Sequence, residues 1–194
     1  MPAVLQEILD NTRQEVLAAK RERSAVDLAS HLTGASPPRP FVAPLRDGRE
    51  GDRSTIIAEV KRRSPSGGEI CRDFDPVAIA TAYEKGGATA ISCLTDQKYF
   101  GGSLAFLTAI RAAVDLPVLR KDFLIDPWQL LEARVAGADA VLLIAEALPP
   151  PLAGEMVAGA IELGMACLLE IHDADNAAWA WDLVAACPDG TAML

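Results

Sequence analysis

The chain has 194 residues, 51% of them hydrophobic, enough for one sizeable core and more than a minimal domain needs. Its formal net charge of −9 argues against a general nucleic-acid or membrane-surface partner, since a phosphate-rich surface rewards a basic face. The longest apolar run is far short of a membrane span, the N-terminus lacks a signal-peptide layout, and the four cysteines show no CxxC spacing, so a soluble, cytoplasmic chain with reduced, mostly buried thiols is expected.

Val4, Leu5, Ile8, Leu9, Val16, Leu17, Val26 and Leu28 recur at helical spacing, which predicts helix from Val4 to about Leu32 with a break near Arg23-Ser24. Gly34 to Arg53, with its Ser36-Pro-Pro-Arg-Pro40 run, predicts a connecting loop that Phe41 and Leu45 pin to the body. From Ile56 onward a unit repeats. Short apolar runs at Ile56–Val60, Ala90–Leu94, Val118–Leu119, Ala140–Ile144 and Ala166–Ile171 predict strands. Amphipathic segments at Val77–Lys85, Leu104–Val114, Trp128–Ala136 and Leu152–Leu163 predict the helices between them, and a last helical segment runs from Asp173 to about Ala186.

Two of these helices open with Asp-Pro, at Asp75-Pro76 and Asp126-Pro127, placing a capping carboxylate before a residue whose φ is already helical. Glycine at 87, 137 and 164 suits the left-handed position that ends a helix. The alternation implies a parallel sheet with helices outside it. A doubly wound sheet would show a glycine-rich phosphate turn after its first strand, and neither GxGxxG nor GxxxxGK[ST] is present. A (β/α)8 TIM barrel instead places functional side chains at the C-terminal ends of several strands. The α/β fold expected here is therefore an incomplete barrel of about five βα units: residues 1–54 form a helical extension and loop, and residues 55–194 carry strands one to five.

Glu59 and Lys61 end the first strand, Lys121 the third and Glu170 the fifth. Strand alternation puts Ile57, Glu59 and Lys61 on one face, Leu119, Lys121 and Phe123 on another, and Leu168, Glu170 and His172 on a third. The plain structural explanation of Glu59 and Lys61 is an ion pair at an exposed strand edge. Four charges at matching strand ends favour a common pocket, where low dielectric and opposite charges let one site supply a proton donor and a proton acceptor near neutral pH. Basic islands at Lys61-Arg62-Arg63 and Arg120-Lys121 suit a small anion in an otherwise acidic protein. His31 and His172 stand alone, no metal cluster is expected, and His172 reads as a strand-end hydrogen bonder.

The words Ile57-Ala-Glu-Val-Lys-Arg-Arg-Ser-Pro-Ser66, Leu94-Thr-Asp-Gln-Lys-Tyr-Phe-Gly-Gly-Ser103, Pro117-Val-Leu-Arg-Lys-Asp-Phe123 and Leu169-Glu-Ile-His-Asp173 resemble the indole-3-glycerol phosphate synthase family, in its order and spacing. The resemblance covers about residues 3 to 180 and includes the long N-terminal helical extension. It implies an enzyme of tryptophan biosynthesis. Such an enzyme converts 1-(2-carboxyphenylamino)-1-deoxyribulose 5-phosphate to indole-3-glycerol phosphate with loss of carbon dioxide and water, without a cofactor. It further implies Lys121 as general acid, Glu170 as general base or charge stabiliser in the dehydration, Lys61 as substrate contact and second acid, and Glu59 as the carboxylate that orients the lysines. Ser64 and Ser66 match a mobile first loop, and Phe100, Phe123 and Leu143 match apolar positions around the anthranilate ring.

The resemblance also implies eight strands, of typically about 250 residues in this fold. No sixth strand with an Asn-Asn-Arg-like word is expected in Trp179–Leu194, and the seventh-strand Glu-Ser-Gly and glycine-rich eighth loop are absent. The expectation is thus a C-terminally truncated family member, with little or no synthase activity and the first and fifth strands as open edges prone to self-association. Its rival is a non-catalytic fragment or pseudoenzyme that acts only as an interaction half-barrel. The isomerase preceding this step would need an acid/base cysteine after the first strand, whereas Cys93 lies inside the second.

Overall fold

The computed structural model describes residues 3–50 and 54–194. The chain begins with helices α1 (Ala3–Glu22), α2 (Ala25–Ser30) and α3 (Val42–Glu50), followed by strand β1 (Ile57–Val60). A small hairpin, β2 (Arg63–Ser64) and β3 (Gly68–Glu69), leads into α4 (Pro76–Lys85) and β4 (Ala90–Leu94). Next come α5 (Leu104–Ala113), β5 (Val118–Lys121), α6 (Pro127–Ala136), β6 (Ala140–Ile144) and a 3-10 turn at Ala145–Ala147. The chain closes with α7 (Pro150–Glu162), β7 (Ala166–Glu170), α8 (Ala174–Ala185) and β8 (Ala192–Met193).

Among the described residues, six strands form one sheet in the order β1-β4-β5-β6-β7-β8, every neighbouring pair parallel. Parallel order with a helix in each of the crossovers between β1 and β8 is the α/β alternation expected of this barrel class.

Local chemistry explains the boundaries. Ser24 breaks α1 from α2 by accepting from the Asp27 amide, a side-chain cap where the sequence predicts the break. Asp75 and Asp126 cap α4 and α6 as expected, and at α6 Gln129 returns a bond to complete a capping box. Gly137 ends α6 with φ 94°, a conformation that costs a side chain about 1 kcal/mol or more.

Two expectations need correcting. Residues 34–53 are not all loop, since α3 lies among them. Its Val42 and Leu45, with the preceding Phe41, bury against the sheet at apolar i, i+3 and i+4 positions, and that outweighs Pro44 and Gly48. The segment after α8 does form a sixth strand. A turn at Pro188–Thr191 brings Ala192 beside Cys167 and Met193 beside Leu168, so β7 is not an edge.

Alternation divides the sheet into two apolar faces. Ala58, Val60, Ile91, Cys93, Val118, Val141, Leu143, Cys167 and Leu169 pack under the helices. Ile57, Ala90, Leu119, Ala140, Leu142, Ile144, Ala166 and Leu168 face the other way, where Phe41, Val42 and Leu45 join them. That second face is the inner one. Of the cysteines, Cys93 and Cys167 are buried and Cys71 and Cys187 half-buried; burial pushes the Cys93 and Cys167 thiols up to about 12.

Candidate active site

The inner face ends in charge. Lys121, the last residue of β5, donates from Nζ to Glu170 Oε2 on β7 at 3.3 Å, reaching past β6, whose Ile144 is the register partner of Glu170. The other oxygen, Glu170 Oε1, lies 2.5 Å from His172 Nε2. The Lys121 and Glu170 side chains are 30% and 29% exposed, so the pair is partly withdrawn from solvent yet reachable.

A cavity of about 590 Å³ surrounds this pair. Leu94, Phe123, Leu142 and Ile144 form its apolar wall, Phe100 closes one side, and Leu5 and Ile8 of α1 cover it. The rings of Phe100 and Phe123 are 6.2 Å apart and tilted by 37°, an arrangement suited to a flat aromatic group resting against them. An apolar cleft with a few convergent charged groups is the usual make-up of a small-molecule site.

Phe100 is held there by the segment after β4. Asp96 accepts from the amides of Tyr99 and Phe100 at 2.7 and 3.0 Å, folding the chain into a side-chain-capped turn. Burial keeps the Asp96 carboxyl above its ordinary value, against the downward pull of those two amides. Gly102 closes the segment, donating to the Asp96 carbonyl at 2.7 Å, and a Cβ there would lie 2.3 Å from the Leu94 carbonyl oxygen.

Glu59 and Lys61 form a second pair, with Lys61 Nζ donating to Glu59 Oε1. This pair sits at the C-terminal end of β1, which is separated from β5 by β4, and neither residue lines the cavity around Lys121. The four charges therefore stand as two pairs on one sheet. The basic islands do not form anion sites as groups. Arg120 points to the helix side of β5, where Asp122, Glu132 and the Gln129 carbonyl hold it. Arg62 lies 3.9 Å from Glu69, and Arg63 donates to the carbonyls of Gln97 and Lys98.

The chain matches the indole-3-glycerol phosphate synthase family over residues 5–187. The chain belongs to this family. It is 49% identical over 173 residues to an indole-3-glycerol phosphate synthase of Hyphomonas neptunium, covering 89% of this chain and 65% of that one. To that of Rhodopirellula baltica it is 49% identical over 175 residues, covering 90% and 66%. The chain thus spans about two thirds of the length of these relatives. In fold, it resembles a mandelate oxidase bound to (S)-mandelic acid, with a TM-score of 0.53 at 16% identity, covering 79% of this chain and 58% of that one.

Of the residues the family resemblance singles out, Lys121, Glu170, Phe100 and Phe123 meet at the cavity. Ser64 and Ser66 lie on the β2–β3 hairpin rather than on an open loop: Ser64 Oγ accepts from the Gly67 amide at 3.0 Å, and Ser66 is exposed. Leu143 is fully buried on the helix side of β6, so its neighbours Leu142 and Ile144 line the cavity in its stead. β6 is apolar on both faces, and no polar residue marks which side is inner.

Two further residues escape a reading of sequence alone. Glu146, just after β6, accepts on Oε1 from the amides of His172 and Asp173 at 3.0 and 2.9 Å and from Asn176 Nδ2 at 3.0 Å. Ser92, on β4 beside Glu59 in register, is 4% exposed and its hydroxyl has no hydrogen-bond partner among the described residues.

Proposed function

We propose that the chain carries out the indole-3-glycerol phosphate synthase reaction in tryptophan biosynthesis, a carboxy-lyase step on a phosphorylated small molecule in the cytoplasm. The observation that carries this reading is the Lys121–Glu170 pair inside an apolar cavity flanked by Phe100 and Phe123. Lys121 gives its proton to the ribulose carbonyl oxygen as the aromatic carbon attacks, so no alkoxide charge develops in a low-dielectric site. The bond to the carboxylate then breaks, carbon dioxide leaves, and its electron pair restores the ring.

Dehydration follows. Glu170 takes the proton from the carbon next to nitrogen, the freed pair forms the double bond, and the hydroxyl leaves as water with a proton from Lys61, the role the family resemblance implies for it. The substrate then extends from the Lys121 cavity past β4 to the β1 pair. Glu59 orients Lys61, to which it is bonded. Phe100 and Phe123 hold the anthranilate ring, with Leu142 and Ile144 in the role that the family resemblance implies for Leu143. Ser64 and Ser66 meet the substrate from the hairpin. Every electron pair moves within the substrate, so the balance requires no oxidant, reductant or cofactor.

Incubating the chain with the substrate at saturation and following indole-glycerol phosphate fluorescence tests this. Product formation above that of Lys121→Met, however slow, is expected. A wild-type chain indistinguishable from that variant overturns it.

A second reading, a non-catalytic half-barrel that self-associates, draws on the open ends of the sheet. Among the described residues β1 and β8 each have one sheet neighbour, and Ile56 and Leu194 beside them are 51% and 37% exposed. Apolar sheet edges invite pairing with another chain. Sedimentation velocity across a concentration series separates the two: a stable oligomer without turnover supports the half-barrel.

A further inference from the structure

Glu170 is bonded through both oxygens, to Lys121 on one side and to His172 on the other. The His172 ring is 68% exposed, so packing alone does not fix it. What fixes it is the backbone beneath. The amides of His172 and Asp173 both point into one oxygen of Glu146, in the turn that follows the neighbouring strand β6. Asn176 adds a third donor to that same oxygen and in turn accepts from Trp179 Nε1 at 3.0 Å, so the first turn of α8 is fastened to the same point.

The other oxygen of Glu146 is buried and has no partner among the described residues. An unsatisfied buried carboxylate oxygen is costly, and a structure that tolerates one calls for an explanation. A cap for α8 is not a sufficient one. Asp173 already caps that helix by accepting from the Asp175 amide, and Glu146 reaches one residue further back, to His172 itself.

We propose that Glu146 is a positioning residue of this site: by fixing the turn after β7 it sets the His172 ring against Glu170 Oε1, which leaves Oε2 aimed at Lys121. The proposal rests on the assignment of Glu170 as the proton-accepting group. The groups that act on His172 are Glu170 on its own strand, Lys121 through Glu170, and Glu146 and Asp173 at its backbone.

The decisive readout does not need turnover. The chain has two histidines, so a long-range proton–nitrogen NMR spectrum of the imidazoles contains two rings only. At alkaline pH the His172 ring is expected to show one dominant tautomer in the wild type, with Nε2 carrying the hydrogen that faces Glu170. Glu146→Gln keeps an oxygen for the three donors and is expected to keep that pattern. Glu146→Ala, still folded by its amide spectrum, is expected to lose it and give the averaged nitrogens of a free imidazole. An unchanged His172 ring in Glu146→Ala overturns the proposal.

Kinetics provide the second arm. Glu146→Ala should lower kcat on the order of tenfold with KM nearly unchanged, as expected when a reacting group is displaced rather than lost, and Glu146→Gln should restore it. A loss of thermal stability with kcat intact would make Glu146 a structural cap and overturn the positioning role. A wild-type chain without turnover counts against the synthase reading, and the NMR arm still decides the clamp.

Discussion

Lys121 and Glu170 meet across an intervening strand: they leave β5 and β7, pass above Ile144 of β6, and join at 3.3 Å. Three consecutive strands must hold their register for this one contact to exist. Exposure of about a third on each side limits what the contact adds to folding, and for such pairs it is about 1 kcal/mol or less.

Lys121→Met and Glu170→Gln should therefore each leave the urea midpoint almost unchanged while lowering product formation by about 100-fold or more, the usual scale for a lost proton donor or acceptor. The double variant should be little worse than either single one, because groups that act as a unit are not additive. Additive losses in single-turnover fluorescence assays would show that the two work separately.

Glycine to alanine should act with opposite sign at two positions. At Gly102 the new methyl would meet the backbone oxygen of Leu94, which has no room to retreat, so Gly102→Ala should cost about 1–3 kcal/mol and disturb the Phe100 segment. At Gly154, within α7, nothing lies within 4 Å, and Gly154→Ala should gain about 0.5–1 kcal/mol. Denaturant midpoints of the two variants, measured side by side, check the contrast.

Asp139 is the fastening at the other end of the sheet. Fully buried, it accepts from the amides of Arg39 and Val118 at 2.6 and 2.8 Å and pairs with Arg111 at 3.0 Å, tying the linker before α3 to the start of β5. Asp139→Ala removes the carboxylate partner of Arg111 and the acceptor of the Arg39 and Val118 amides, and should cost about 3–5 kcal/mol. Urea unfolding followed by far-UV circular dichroism measures it.

Acid should act through Glu146 rather than Asp139. Burial raises the Asp139 carboxyl above its unfolded value, so the folded state takes up that proton first and acidification does not oppose folding there. At Glu146 burial also pushes upward, but the His172 amide, the Asn176 side chain and the Asp173 amide outweigh it and the net direction is down. The stability this gives is present above the ordinary carboxylate value of about 4.3 and is lost as pH falls through the folded value. The difference in Tm between the wild type and Glu146→Gln should thus be constant near neutrality and shrink in acid. A difference independent of pH would remove Glu146 as the source.

How much of the site is legible in the sequence depends on where charge interrupts apolar runs. Lys121 and Glu170 each end a strand, so counting by two from either charge assigns the inner face of β5 and β7. The run Ala140–Ile144 has no such marker: the family resemblance points to Leu143, while Leu142 and Ile144 are the residues on the inner face. Pro44 and Gly48 mask the helix α3, and β8 is two residues long, too short to show an alternation. Glu146 and Asp139 are silent for another reason: their partners are mostly backbone amides, which look alike in every sequence.

The Arg63 side chain, bonded to the carbonyls of Gln97 and Lys98, and the Arg63 amide, bonded to that of Phe100, join the hairpin to the segment that carries one wall of the cavity. The two pieces are thereby one moving part. A ligand that settles against Phe100 also settles the hairpin with Ser64 and Ser66, and the loss of chain freedom on binding is incurred once instead of twice. Occupancy of either end should then favour capture of the other, a coupling carried by one guanidinium, one amide and three carbonyls.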